Sequence, residues 1–460
     1  MRSLRGFVVT LLIGQTCFGG GERSNIRGMG MARTFTAAAR GLEAVGVNPA
    51  NITATDGTVF ELSLLSSGIH VGSDFLDYGL YTSYFTGSAT DSGVVPRYLN
   101  SADKRQILDA FTNEIGLATA DINTRIVGLR WSAWKTGAIA LTINEHLAAM
   151  VNLPREYVSF LLLGNPPGSS LQFSGMGVKV AWTREYALTA GFRLPNPSFL
   201  RSFNAGVSFK LLQGYGYYEL QRFDANLSTS TSGTLFGTIG FLSRLSGTDP
   251  VHHLYFSPFK PFPDPAGTGF AVDVGISGAI DDYVSFGMSL TDIGSLLWEK
   301  DVSNISVDTT LVVDDPLLAS QRDAVEQAVK GKRTVAGPFT SHLPTQFRIG
   351  IAVEVSKLPV FPWIHRTLIV AFDYNQGLFD APGTIVRPRF SLGFEFVPLL
   401  WLPLRSGISF GGSDRANVAL GFGVIVGDFE IDVATENVTC LFVPHSFSYG
   451  SLAAGIHFSL

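Results

Sequence analysis

FAVDVGISGAI (270–280), the pair Asp281-Asp282, and YVSFGMSLT (283–291) decide how this chain folds. Phe270, Val272, Val274, Ile276 and Ile280 share one face of the first run, with Ala271, Asp273, Gly275, Ser277 and Ala279 on the other. The two aspartates supply a tight turn. After it, Val284, Phe286, Met288 and Leu290 alternate with Ser285, Gly287 and Ser289. Side chains of an extended strand point to opposite faces with a period of two, so this is a hairpin with one apolar face and one small, polar face.

The pattern spreads outward from there. Ile349, Ile351, Val353 and Val355 alternate with Arg348, Gly350, Ala352 and Glu354; Phe390, Leu392, Phe394 and Phe396 alternate with Arg389, Ser391, Gly393 and Glu395. Val418, Leu420, Phe422 and Val424 do the same against Asn417, Ala419, Gly421 and Gly423. In a soluble sandwich the apolar face packs inward and the other meets water, which would leave an exterior of Gly, Ala and Ser. In a transmembrane barrel the apolar face meets lipid and the small residues line an interior with room for charges, a plug or water. The second reading fits: an all-β, transmembrane antiparallel β-barrel of 14–16 strands.

Composition agrees. Glycine is 50 of 460 residues, aromatics are 12% and charged residues only 15%, against about 25% charged in ordinary globular chains. The net charge of −5 is modest and no basic stripe is present, so no nucleic-acid partner is expected. The most apolar internal stretch, FEFVPLLWLPLRSG (394–407), is interrupted by Glu395, Pro398 and Pro403, so it makes no spanning helix. Crossing must be by strands, since only helices or closed barrels satisfy the backbone inside lipid.

MRSLRGFVVTLLIGQTCFGGG (1–21) has the order of an export signal: Arg2 and Arg5, an apolar run, then small residues. Lipidation at Cys17 is disfavoured by the preceding Gly14-Gln15-Thr16. Beyond that segment only Cys440 remains, which can form neither an intramolecular disulfide nor a thiolate metal cluster.

Sixteen candidate strands fall near 58–70, 123–131, 135–144, 172–182, 185–193, 204–212, 215–223, 269–280, 283–291, 346–356, 366–374, 386–396, 403–410, 415–424, 428–434 and 452–460; fourteen is the nearest alternative. The long connections, 71–122, 145–171, 224–268 and 292–345, all follow odd-numbered strands, as outer loops do in outer-membrane barrels. Two of them carry helical signals: SADKRQILDAF (101–111), with Ser101 as cap, and DDPLLASQRDAVEQAVKGK (314–332), with Pro316 near its start and Gly331 near its end.

GMGMARTFTAAARGLEAVGVNPANI (28–52) resembles the mature N-terminus of barrels related to the long-chain fatty-acid transporters and to the type IX secretion shuttle barrels. With SADKRQILDAF, LLLGNP (161–166), GFAVDVGIS (269–277) and SLTDIGSLLW (289–298), the chain is similar to an uncharacterised conserved outer-membrane β-barrel family of Bacteroidetes and Chlorobi (DUF5723-like). The resemblance implies three regions: signal 1–21, an N-terminal lumenal plug or hatch 22–57, and barrel 58–460. It puts Gly28, Gly30, Ala32, Arg33, Asn48, Pro49 and Ala50 in the plug. The small residues Ala37, Ala38, Ala39 and Gly41 permit close packing, and Pro49 fixes the chain direction. A nucleotide-binding reading of the glycines fails, because the run follows an export signal rather than a strand.

Neither an HExxH metal motif nor a GxSxG nucleophile elbow occurs, and His252-His253 has no third ligand indicated. No catalytic residue, metal or cofactor is therefore expected. Charges on the face opposite lipid comprise Lys179, Lys210, Asp273, Arg348, Glu354, Asp373, Arg387, Arg389, Glu395, Arg405, Arg415, Glu430 and Asp432. Pointed at lipid, an Arg or Lys would cost about 2–4 kcal/mol near mid-membrane. They are expected to brace the lumen, and Lys210, Arg348, Asp373, Arg387, Arg389, Glu395, Arg405, Arg415 and Glu430 are candidate ligand contacts, with Arg387 and Arg389 first. The leading expectation is an outer-membrane barrel aiding passage of a hydrophobic or amphipathic small molecule. Two alternatives stand: an export accessory that binds a secreted or envelope protein, and a structural envelope protein. Outer-membrane lipid and the outer-membrane assembly machinery are expected partners throughout.

Overall fold

Fourteen strands form the wall: β1 (Phe60–Ser73), β2 (Ile115–Trp134), β3 (Gly137–Pro154), β4 (Gly177–Leu194), β5 (Ser202–Thr229), β6 (Gly267–Ala279), β7 (Val284–Trp298), β8 (Gln346–Glu354), β9 (Leu368–Gly377), β10 (Arg389–Leu399), β11 (Leu402–Gly411), β12 (Ala416–Val426), β13 (Phe429–Thr435) and β14 (Tyr449–Ser459). Each pairs antiparallel with the next, and β1 pairs with β14 to close the ring. The structure is a computed structural model that describes residues 23–460 apart from 55–56, 91–92, 135, 248–262, 316–317, 379–385, 413–415 and 443–447. Among the described residues, no helix is long and apolar enough to cross a membrane.

The hairpin that decides the fold shows why the wall belongs in lipid. Phe270 is 72% exposed, whereas Asp273 on the opposite face is 0% exposed. The same inversion runs round the ring. Leu129, Leu141, Leu188, Phe209, Phe372, Phe390, Phe410, Phe422 and Phe429 are exposed, while Lys210, Arg348, Asp373, Glu395, Arg405 and Asp432 are buried. A water-soluble protein distributes these residue types the other way. The chain is therefore an outer-membrane β-barrel, with its apolar belt outside and its polar groups enclosed.

The sixteen candidate strands reduce to fourteen by two fusions. Candidates 172–182 and 185–193 are one strand, β4, and candidates 204–212 and 215–223 are one strand, β5. Both breaks sit at one irregularity: Trp182 pairs with Gly216 and Thr183 with Gly214, leaving Tyr215 extra on β5. A bulge inserts a residue without ending a strand, so Thr183-Arg184-Glu185 and Gly214-Tyr215-Gly216 look like turns in sequence. Two fusions leave the parity of the later strands intact. The short connections 195–201, 280–283, 400–401 and 427–428 share one end, with the long ones at the other; by the usual rule the short end is periplasmic.

The outer loops carry the expected helices with different boundaries. The first is Ser101–Asp109, capped by Asn100 rather than Ser101, with Asp103 closing a capping box. The second is Ala319–Val329; Pro316 lies outside the described residues, and Gly331 follows the helix with φ +76°. At 28 residues, β5 is far longer than lipid requires. Its outer half pairs with Leu235–Gly247, which pairs with Ser303–Val313, which pairs with Lys332–Val335. These segments make a sheet standing above one side of the mouth. Tyr217, Trp298 and Phe339 pack together at its foot, with the Trp298 indole donating to Ser341 Oγ at 2.9 Å.

Candidate functional site: the plugged lumen

Residues 23–54 lie inside the ring, where Met29, Met31, Leu42, Asn48, Ala50 and Ile52 are fully buried. The segment enters through a short helix, Ile26–Gly30, whose first turn is capped by the Asn25 side chain accepting from Gly28 N. Gly30 touches the wall: a Cβ there would lie 3.1 Å from the Gly421 Cα. Ala32 and Arg33 follow with φ of +54° and +56°, which reverses the chain. Thr34–Thr36 then crosses β9, where Asp373 Oδ2 accepts from Phe35 N, Thr36 N and Thr36 Oγ1 at 2.8, 2.8 and 2.6 Å.

A 3₁₀ turn at Gly41–Ala44 presses on β1, with Leu42 N donating to Glu61 Oε2 at 2.5 Å. Gly41 has φ +57°, and a Cβ there would overlap the Glu61 carboxylate, so glycine is required. The last turn, Pro49–Thr53, has Pro49 at its first position and Asn48 as cap. The Asn48 amide also donates to Thr36 O and Ile276 O at 3.3 and 3.1 Å. This turn rests on Gly191, Gly206 and Gly275, which lie directly opposite one another on β4, β5 and β6. A Cβ at Gly206 would run into the Pro49 carbonyl, and one at Gly275 into Asn48.

Ion pairs hold the earlier part of the plug. Arg27 makes a two-pronged contact with Glu395, at 2.6 and 2.7 Å, and reaches Glu43 at 3.0 Å. Arg405 on β11 bridges Glu395, Glu430 and Asp432. Within the plug, burial pushes the Glu43 carboxyl above the usual carboxylate range, and Arg27 opposes this only in part. Burial also works against the charge on Arg27, but Glu395 and Glu43 more than offset it and keep it firmly protonated. A second group joins Arg23 to Asp121 and Glu436, with Arg33 also on Glu436. A third contains no plug residue: Lys210 meets Glu185, Asp273 and Asp292 at 3.2, 2.9 and 2.6 Å.

Gly28, Gly30, Ala32, Arg33, Asn48, Pro49 and Ala50 all lie in the segment 23–54 inside the ring, and Lys210, Arg348, Asp373, Arg389, Glu395 and Arg405 are buried on the inner wall. Glu430 is half-buried beside Arg405. Lys179 pairs with Glu219 towards the outer end of β4, and Glu354 pairs with Lys357 at the short-turn end. Arg387 does not share the inner face with Arg389. The strand begins at Arg389, and Arg387 lies exposed at the rim, donating to Gly412 O at 3.3 Å. Arg415 and His252-His253 lie outside the described residues. Sequence reasoning missed Arg23 and Arg27, the plug's main anchors, and also Glu436, Asp121 and Arg125. Asp121, Asn123 and Arg125 alternate along β2 and could have been read as inward. Arg23 stands in irregular chain and Arg27 in a helix of only five residues, where no period reveals direction.

Two cavities flank this arrangement. One of about 130 Å³ opens at the short-turn end between Ala37, Ala38 and Arg40 of the plug and Asp281, Tyr283 and Glu354 of the wall. A larger one, about 570 Å³, dents the lipid-facing side, lined by Leu129, Leu141, Leu188, Phe209 and Phe270. The strand ladder behind it is unbroken from β2 to β6, so it is a feature of the outer surface. Among the described residues, no group of three or more His, Cys, Asp or Glu is placed to hold a metal ion.

The chain belongs to the family of unknown function DUF5723, whose pattern matches residues 49–436. No curated protein matches it. Among solved structures it is similar to a TodX monoaromatic hydrocarbon channel deltaS2 mutant, with TM-score 0.50 and 13% identity over 94% of this chain and 97% of that one. The Pseudomonas putida toluene transporter TodX aligns with TM-score 0.48 and 12% identity, over 96% and 98% of the two chains. The Ralstonia pickettii toluene transporter TbuX gives TM-score 0.47 and 12% identity over the same shares. The likeness is one of fold alone: a closed outer-membrane β-barrel.

Proposed function

We propose that this member of the DUF5723 family is an outer-membrane channel that admits hydrophobic or amphipathic small molecules, with residues 23–54 as its hatch. One observation carries the reading: the lumen is filled by a segment held to the wall through ion pairs, hydrogen bonds, glycine contacts and buried apolar packing. The proteins of like fold named above are described as hydrocarbon channels and toluene transporters, which makes a hydrophobic cargo the natural class for this chain. Aromatic side chains supply a collecting surface on the outer loops. Tyr78, Leu161 and Leu163 are exposed there, above the buried Phe111, which stacks on Phe75 at 4.6 Å, and the buried Phe173, which meets Tyr157 and Phe160. A cargo gathered there enters the lumen, the hatch shifts, and the cavity beside Ala37 and Ala38 receives it at the short-turn end.

The test is a reversible lock. Thr36→Cys with Asp373→Cys, in a Cys440→Ser background, joins hatch to wall where their side chains already touch. Oxidised cells should take up a hydrophobic tracer no faster than cells lacking the gene, and reduction should restore uptake. Equal uptake by oxidised, reduced and gene-deleted cells would sink the reading.

A second reading has its own observation. The sheet standing above the mouth, from the outer half of β5 to Lys332–Val335, exceeds what a spanning wall needs. It supports an interaction role towards a secreted or envelope protein. Crosslinking that recovers a partner only when residues 235–247 and 303–335 are intact would favour that role.

A further inference from the structure

Directly above Asp373, on the outer side of the hatch, the wall carries a row of polar groups, two of which, Asn375 and Ser391, have side chains without a hydrogen-bond partner. Arg348 on β8 lies opposite Asn375 on β9, which lies opposite Arg389 on β10. Directly opposed residues on neighbouring strands have Cβ atoms about 5 Å apart, so both guanidiniums flank the amide. All three side chains are over nine-tenths buried, and neither polar atom of Asn375 has a hydrogen-bond partner. Ser391, two residues along the same face from Arg389, is buried with its Oγ equally unpartnered.

A buried amide with no partner costs more than the hydrogen bond it could make is worth. When it stands between two permanent positive charges, the economical occupant is an oxyanion, which accepts from all of them at once. One neighbouring carboxylate, Asp373, shares the charge of Arg389 with any such occupant. Asp373, one step down β9, spends Oδ2 on Phe35 and Thr36 of the hatch. From the hatch itself, the Arg33 side chain pairs with Glu436, and only its carbonyl turns to the row, where Arg389 donates to it at 3.4 Å.

We infer that Arg348, Asn375, Arg389 and Ser391 form an oxyanion site that receives the charged head of an amphipathic cargo on the outer face of the hatch. The inference rests on the channel reading and narrows its cargo to carboxylate, phosphate or sulfonate amphiphiles. It also ties arrival to opening, because an anion in the row draws Arg389 away from the Arg33 carbonyl.

Calorimetric titration of the full chain in a neutral maltoside detergent tests it, with dodecyl phosphate and inorganic phosphate as probes. Wild type should bind dodecyl phosphate. Asn375→Asp, which places a carboxylate between the arginines at nearly constant volume, should weaken binding at least tenfold while raising the thermal midpoint. Arg389→Gln should weaken binding similarly, and Arg389→Lys, which keeps the charge, less. If inorganic phosphate binds as well and is lost in Asn375→Asp, the site stands and its natural occupant is a free anion. Failure of wild type to bind either probe, or equal binding by wild type and Asn375→Asp, overturns the inference. Neutral-tracer uptake under the disulfide lock is read separately, so an inert row beside a working channel, or the reverse, is recognised as such.

Discussion

The two halves of the plug are held by different physics. From Arg23 to Glu43 ion pairs are added to the hydrogen bonds, glycine contacts and apolar packing: Arg23 and Arg33 with Glu436, Arg27 with Glu395 and Glu43. From Asn48 to Thr53 no side chain is charged, and the turn lies on the glycine row of β4–β6. Attraction between charges fades gradually with distance. A contact that depends on the absence of a Cβ is lost over a fraction of an ångström. The ion pairs of the first half can therefore yield by degrees, whereas the turn on the glycine row is either seated or not.

The largest break should come from the wall. Gly206→Leu puts a side chain where the Pro49 carbonyl sits, and the turn cannot share that space. Liposome-swelling rates with a small sugar should rise about tenfold or more, with the folded barrel still resisting detergent. Wild-type swelling rates in that variant would show that the seat does not position the turn. Next is Arg27→Gln, which leaves the buried Glu395 without its plug partner. Removing one member of a buried pair costs about 3–5 kcal/mol, read as a lower denaturant midpoint for a fluorophore on the plug. The doubly neutral Arg27→Gln/Glu395→Gln should recover part of that loss, and a double variant worse than the single one would break the electrostatic side of the comparison. The smallest effect is Asn48→Ala, which removes a helix cap and two further hydrogen bonds. A loss of about 1–2 kcal/mol should speed amide exchange at Ala50 about 5–30-fold, leaving exchange at Arg27 unchanged.

Strand direction and facing were legible in the sequence because a period of two fixes both at once. That is why Asp273, Arg348 and Glu395 could be placed indoors before any coordinates, and why Phe270 and Phe390 could be placed outdoors. The same logic failed at the Tyr215 bulge, where one extra residue shifts the period and mimics a turn. It failed again at Arg387, two residues from an inward arginine but just beyond the strand's first hydrogen bond. The plug was legible only through resemblance. Which arginine finds which acid there depends on backbone reversals at Ala32 and Arg33, which neither residue advertises, and the unsatisfied amide of Asn375 depends on neighbours from two other strands.

Those reversals have a consequence of their own. Ala32 and Arg33 are consecutive non-glycine residues in the left-handed region, a conformation that costs about 1–2 kcal/mol per residue. The loop is cocked, like a latch bent over a peg, and Glu436 and the neighbouring strands are the peg. If the segment opens as proposed, its release relieves that strain, which lowers the cost of opening by about 2–4 kcal/mol.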